Sequence, residues 1–414
     1  MPLVGELPLG LIRLKGHRSF TMPSDSQHIF SHTPETLQEW AKSHGMPAFR
    51  AKQILEWVYA KGVIEPARMT NLSAMDRETL SREMRFLSGA TLADSVATDG
   101  TRKLLVQWDA EGDAGGSATS LPVLNDTTRQ TECVMIPSLE MGPNGQPTRR
   151  TACISSQVGC PVGCKFCASG LAGLDGNLTA GRIVEQVWRL RSLLGPDPKT
   201  GEMQRISNVV FMGMGEPLAN FESVTSAVRT IAAPWGLGIS ARKITISTVG
   251  LPKYIDRLAR EFDLPVTLAL SLHAPSDDIR RQLIPWAEFT TIADLLASCQ
   301  RWFEKTGREI TLEYTLLRHV NDRRAHAELL AGHAKTLRAN VNLIRYNEVK
   351  GMPFERPTDE DVRVFQETLR SKGVNAHIRA SRGRDIAAAC GQLRHEHAAQ
   401  ANGTAQDAHT PKAN

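Results

Sequence analysis

From about residue 150 onward, this 414-residue chain alternates short apolar runs with amphipathic stretches, and nothing else in it constrains the fold as much. Apolar runs suited to buried strands fall at 151–155, 207–212, 243–247, 266–271, 309–316, 340–346 and 375–380. Helical stretches separate them, among them 180–194, 221–233, 252–261, 292–306 and 359–372. Repeated strand–helix units need crossover connections and hence a parallel sheet, either doubly wound or curled into a barrel. In both architectures ligands sit beyond the carboxyl ends of the strands, so functional residues are to be sought there.

The chain before this region has a different rhythm. Thr33-Pro34 reads as an N-cap followed by proline at the first helical position, opening a helix that stops near Gly45. A second helix over 48–61 places Ile54, Leu55, Val58 and Tyr59 on one face, and a third starts after Ser73 with Asp76 as its capping partner. Residues 103–108 and 132–136 read as strands, with a polar, Gly-rich insertion between them that is too long for a hairpin turn. The expected division is a disordered tail over 1–32, a small helical domain over 33–95 and a strand-containing linker over 96–145. The alternating core follows over 146–395, and then a second disordered tail over 396–414.

No apolar run approaches the roughly 20 residues needed to span a bilayer, and the N-terminus lacks a secretory apolar region, so a cytoplasmic protein is expected. The formal charge is only +5, but between Arg370 and Arg394 six Lys/Arg face a single acid, Asp385. That stretch is either a solvated basic face or a nucleic-acid surface. The seven cysteines argue for reduced thiols serving metal or catalysis rather than for a disulfide framework.

Three of those cysteines crowd into Cys160-Pro-Val-Gly-Cys164-Lys-Phe-Cys167. Structural zinc wants four ligands, usually as two separated pairs, and no fourth Cys or His stands close enough in sequence. Three thiolates are what a [4Fe–4S] cluster needs when one iron is left open for an exogenous ligand. At the end of another strand, Gly213-Met-Gly-Glu216-Pro217 combines glycines with a carboxylate able to accept from an ammonium group. Ser247, Ser271 and His273 also fall at strand ends.

The C-x3-C-x2-C loop resembles that of the radical S-adenosylmethionine (SAM) enzymes. Cys153-Ile-Ser-Ser-Gln157-Val-Gly-Cys160, Gly213-Met-Gly-Glu216-Pro217, Ser271-Leu-His273, Arg382-Gly-Arg-Asp385, Cys390-Gly-Gln-Leu393 and Asp99-Gly-Thr-Arg-Lys103 together resemble the RlmN family of RNA methyltransferases. The likeness covers about residues 33–395; it departs at the insertion near 110–130, at another near 142–149 and at both tails.

The resemblance implies an α/β fold, a partial (β/α)6 radical SAM barrel with a small helical N-terminal domain that binds RNA. It implies one [4Fe–4S] cluster per chain on Cys160, Cys164 and Cys167, and two SAM molecules per turnover held by Gly215, Glu216, Ser247, Ser271, His273 and Asn347. Cys390 would carry the methyl group as S-methylcysteine, Cys153 would form a transient disulfide with it, and Glu132 would be the proton acceptor. The implied product is 2-methyladenosine at adenosine 2503 of 23S rRNA and adenosine 37 of tRNA, with an external electron donor such as flavodoxin. Methylation of carbon 8 of the same ribosomal adenosine, as in the Cfr enzymes, uses the same motifs. A non-catalytic RNA-binding protein with a structural metal is the reading from another class. Cys133 and Cys299 match no motif and read as packing residues.

Overall fold

The computed structural model describes residues 27–109, 129–142, 145–197 and 199–393. The tails over 1–26 and 396–414 and most of the 110–130 insertion lie outside these.

Helix α1 (Pro34–Ser43) begins as its sequence dictates, with the Thr33 hydroxyl accepting from the Thr36 amide and Pro34 at the first position. Helix α2 (Arg50–Leu55) continues as a π-helical turn over Glu56–Ala60, and α3 (Ala74–Glu83) opens on the expected Ser73–Asp76 capping box. Two expectations are corrected here. Residues 27–32 are not tail, because Ile29 and Phe30 are fully buried. Nor do the helices enclose a core of their own. Ile29, Phe30, Ile54, Val58, Tyr59 and Leu80 belong to the same continuous apolar cluster as the barrel. The Phe30 ring lies 5.7 Å from that of Trp188, whose indole N–H donates to the Val58 carbonyl at 2.9 Å.

Strands β1 (Gly89–Val96), β2 (Arg102–Trp108) and β3 (Gln130–Pro137) form an antiparallel meander that pairs onto β4 (Arg150–Cys153). The segment expected as a linker is therefore part of the main sheet, and the boundary at 95 falls inside β1. The side chains of β1 are mostly small or polar, with Leu92 and Val96 as isolated exposed apolar residues, so it carries no apolar period to read. A separate hairpin, β5 (Gln157–Gly159) and β6 (Leu174–Asn177), brackets the three-cysteine loop. The strand expected over 151–155 stops at Cys153.

The chain then runs through α4 (Ala180–Ser192), β7 (Asn208–Phe211), α5 (Phe221–Ala232), β8 (Ile244–Thr248), α6 (Pro252–Glu261) and β9 (Thr267–Ser271). It continues as α7 (Asp277–Leu283), α8 (Ile292–Thr306), β10 (Ile310–Leu316), α9 (Arg324–Leu337), β11 (Asn340–Arg345), α10 (Asp359–Ser371) and β12 (Ala376–Arg379). The parallel strands pair in chain order, β4-β7-β8-β9-β10-β11-β12. A doubly wound sheet reverses its strand order at a switch point and this one does not, so the alternative left open by the sequence resolves to a barrel. Six strand–helix units and a seventh strand make the arc, and β1 and β12 remain at opposite edges, which leaves the barrel partial. No helix among the described residues is long and apolar enough to cross a membrane.

A buried polar network bolts the N-terminal part to the barrel. Glu185 on α4 accepts from the Ser88 amide at 2.9 Å and hydroxyl at 2.8 Å, and its carboxylate lies 3.0 Å from His28 Nε2. Arg189, one turn on, donates to Glu185 at 2.7 Å, to Thr91 Oγ1 at 2.8 Å and to the Gly89 carbonyl. Burial alone would raise the Glu185 carboxyl. The His28 hydrogen bond, the charges of His28 and Arg189 and the Ser88 amide outweigh it and hold the group at about 2. A folded value below the ordinary 4.5 stabilises the fold above that pH and ceases to do so as pH falls toward 2. Glu185→Gln leaves Arg189 buried without its partner and should cost about 3 kcal/mol in urea unfolding at neutral pH. The gap between parent and variant should narrow as the pH is lowered through about 4; a pH-independent gap would show that the carboxylate charge is not what matters.

Candidate active site

The carboxyl ends of the parallel strands surround a cavity of about 140 Å³. Cys160, Cys164 and Cys167 line it, as do Gly215, Glu216, Ser247, Ser271, His273, Asn347 and Cys390. The ten sequence-selected residues other than Cys153 and Glu132 thus meet in one place. Cys153, the last residue of β4, lies beneath in an apolar cluster with Val134, Met214, Ala388 and Leu393. Glu132, on β3, is also fully buried and does not line the cavity; Lys103 Nζ lies 2.9 Å from its Oε1.

The three thiols sit where a bare anion is costly. Burial pushes Cys160 up to about 12 and raises Cys164 and Cys167, and the neighbouring thiolates raise Cys164 further. Such a trio is stabilised as thiolates by bound iron. Arg280, nearly fully buried, donates to the Val249 carbonyl at 2.6 Å, while its Nε has no protein partner. Its charge acts on Cys164, and a buried guanidinium with a spare donor suits an anionic thiolate-ligated cluster. The donor set therefore fits an iron–sulfur cluster on Cys160, Cys164 and Cys167.

The strand-end residues differ in what they offer. Gly215 has φ +102°, and a Cβ there would lie 2.7 Å from Gln157 Cβ and Ser156 Oγ. Its glycine is thus required by packing against the β4–β5 connection, rather than only by a ligand's approach. Burial pushes the Glu216 carboxyl up to about 7, against the pull of the Val249 and Leu218 amides, which donate to it at 2.8 and 2.9 Å. Ser247 and Ser271 hydroxyls lie 3.2 Å apart across β8 and β9. His273 Nδ1 accepts from the Thr315 amide at 3.0 Å, which fixes the ring as a neutral Nε2–H donor, and burial lowers it to about 3. That excludes an acid–base role near neutral pH.

Cys390 is exposed at the cavity lip, on a segment held from three sides. Asn347 Nδ2 donates to the Cys390 carbonyl at 3.2 Å, the Ala168 amide to Gly391 O at 2.8 Å, and Lys103 Nζ to Ala387 O at 3.1 Å. Burial pushes the Cys153 thiol up to about 12; a Cys390 thiolate raises it too, whereas Arg379 pulls it down.

Sequence reasoning missed Glu313, Arg280 and Arg379. Glu313 lines the cavity from β10, accepts from Asn342 at 2.9 Å through one oxygen and leaves the other without a protein partner. Its signal was a charge in the middle of an apolar run, Ile310–Leu316. The basic stretch also looks different once folded. Arg370 caps the Ala376 carbonyl, Arg379 donates to the Met212 sulfur, and Arg382 binds Asp99, so half of its six cations serve the protein itself. Arg394 lies outside the described residues.

Comparison with known proteins shows the family and the fold. The family described as "Ribosomal RNA large subunit methyltransferase N-terminal domain" matches residues 28–85, and the radical SAM superfamily matches residues 154–330. A probable dual-specificity RNA methyltransferase RlmN of Rhodopirellula baltica is 40% identical over 367 residues, 89% of this chain and 90% of that protein. The dual-specificity RNA methyltransferase RlmN of Dichelobacter nodosus is 38% identical over 88% of this chain and 93% of its own length. The solved structure of a radical SAM methyltransferase from Sphaerobacter thermophilus superposes with a TM-score of 0.78 at 38% identity, covering 90% of this chain and 99% of that one. On this agreement of sequence and fold, the chain belongs to the RlmN family of radical SAM RNA methyltransferases.

Proposed function

We propose that this SAM-dependent methyltransferase converts adenosine to 2-methyladenosine in 23S rRNA and tRNA, at adenosines 2503 and 37, by way of a methyl group carried on Cys390. The observation that carries the reading is the placement of Cys390 at the lip of the three-cysteine cavity, with Cys153 buried beneath its segment. Carbon 2 of adenine is an electron-poor amidine carbon and does not attack an electrophilic methyl group, so the carbon must be delivered as a radical. Cys160, Cys164 and Cys167 would hold the cluster, which, once reduced by a donor such as flavodoxin, would supply the electron for cleavage of SAM to a 5′-deoxyadenosyl radical.

The protein's own groups do the rest. The Cys390 thiol loses its proton and takes a methyl group from a first SAM, and a hydrogen atom is later removed from that methyl. Its carbon then bonds to carbon 2 of a base flipped out of the RNA. Glu132 accepts the carbon-2 proton, while the adduct's unpaired electron would return to the oxidised cluster, which restores the aromatic ring. Cys153, as thiolate, attacks the Cys390 sulfur; the sulfur–carbon bond breaks as the disulfide forms, and the released carbon is protonated. Glu216, Ser247, Ser271, His273 and Asn347 hold SAM in this scheme. The N-terminal helices, with Lys372 and Arg384 of the basic stretch, grip the RNA backbone, giving affinity that falls steeply with salt. Such an enzyme would work in the cytoplasm beside its RNA.

Cys160→Ala, Cys164→Ala and Cys167→Ala should each lose the iron, about four per parent chain, and 5′-deoxyadenosine formation with it. Full iron content in any of them removes that residue from the ligand set. Cys390→Ala should keep iron and SAM binding but never methylate RNA. Cys153→Ala should stall as a covalent protein–RNA adduct that is absent from the double variant. Mass analysis of nucleosides, after anaerobic turnover with SAM, a reductant and naked RNA, should show 2-methyladenosine; 8-methyladenosine would assign the carbon-8 reaction instead.

A further inference from the structure

Lys103 is an odd residue for its place. It lies inside β2 with a side chain only 5% exposed, and lysines are rarely so buried unless paired. Its Nζ reaches two acceptors at once, Glu132 Oε1 at 2.9 Å and the Ala387 carbonyl at 3.1 Å. Stability does not call for this, because a buried ion pair is often no better than apolar residues of equal volume. The second contact is the informative one. Ala387 is a non-glycine residue held in the left-handed region, φ 48° and ψ 42°, three positions before Cys390. Such a turn costs about 1 kcal/mol and persists only where its surroundings hold it.

The same segment is clasped at the surface by the β1–β2 turn. Asp99 accepts from the Gly383 amide at 2.9 Å and its Oδ2 lies 3.1 Å from Arg382 Nε as an ion pair, and Asp385 accepts from the Thr98 amide at 2.8 Å. The fit is close, since a Cβ on Gly383 would lie 2.8 Å from Thr101 Cγ2 and 2.9 Å from Ala388 Cβ. These contacts fix the segment from outside. Lys103 reaches inward and joins it to the Glu132 carboxylate.

We propose that Lys103 is a positioning residue for methyl transfer, its ammonium group holding the Glu132 carboxylate and the Cys390-bearing segment in one fixed relation. This rests on the roles given above to Cys390 and Glu132. Without the ammonium group the Ala387 turn loses its inner tether and Glu132 loses this ion pair. Radical formation, which needs neither, continues, while delivery of the carbon to RNA fails.

The coupling ratio tests this, as 5′-deoxyadenosine formed per methylated adenosine, because it does not depend on the fraction of folded enzyme. Lys103→Met should keep its iron and raise the ratio at least tenfold, and trypsin should cut after the exposed Arg384 several-fold faster than in the parent, with or without SAM. Lys103→Arg should recover part of both effects. Lys103→Gln, whose amide can reach one acceptor but not both, should uncouple like Lys103→Met if the latter folds poorly. An unchanged ratio in both neutral variants overturns the proposal, as does uncoupling without faster cleavage. Glu132→Gln separates it from the reading it rests on. That variant keeps a hydrogen-bond partner for Lys103, so trypsin cleavage should stay at the parent rate while RNA methylation is lost. Normal methylation by Glu132→Gln overturns the proton-acceptor role of Glu132, and with it the carboxylate half of the proposal.

Discussion

Parallel pairing in chain order is the constraint on which the rest of this structure depends. Because each parallel strand from β4 to β12 lies beside the next parallel strand of the chain, every carboxyl end points to the same rim. Side chains as distant in sequence as Cys160 and Cys390 can then line one cavity. The crossover helices occupy the outer face, so the rim is built by loops and strand ends alone, and the chemistry is confined there.

The rim is polar in an apolar setting, and its groups are handled one by one. Backbone amides of Val249 and Leu218 occupy Glu216, the Thr315 amide fixes the tautomer of His273, and Asn342 meets one oxygen of Glu313. What is left over is informative: a second Glu313 oxygen, the Arg280 Nε and three thiols raised by burial. Unsatisfied buried groups are costly, and these lie where the family's cofactors would bind.

The antiparallel meander has a second task besides extending the sheet. Its first turn carries Asp99 and its second strand carries Lys103, and both grip the segment that ends in Cys390. The N-terminal helices are in turn fastened to α4 through Glu185. The parts that precede the barrel in sequence therefore share its core and hold its last segment, and they do not form an appended module.

The sequence by itself determined the elements and the cluster loop. Strand–helix alternation is a local pattern, so all seven parallel strands and the caps at Thr33 and Ser73 were legible, as was the spacing of Cys160, Cys164 and Cys167. Resemblance added Cys153, Cys390, Glu132 and Asn347, which no local pattern marks, and gave roles to the residues at the strand ends. β1 was not legible, because small exposed side chains carry no period, and neither was the short β5–β6 hairpin. Only the tertiary structure decided between a barrel and a doubly wound sheet, since that depends on the order in which strands pair. It alone showed that half of the basic stretch is consumed by contacts within the protein, and that Lys103 meets Ala387 across 284 residues of chain. Such contacts join residues that have no sequence relation, and the energy that selects them exists only once the core has closed around them.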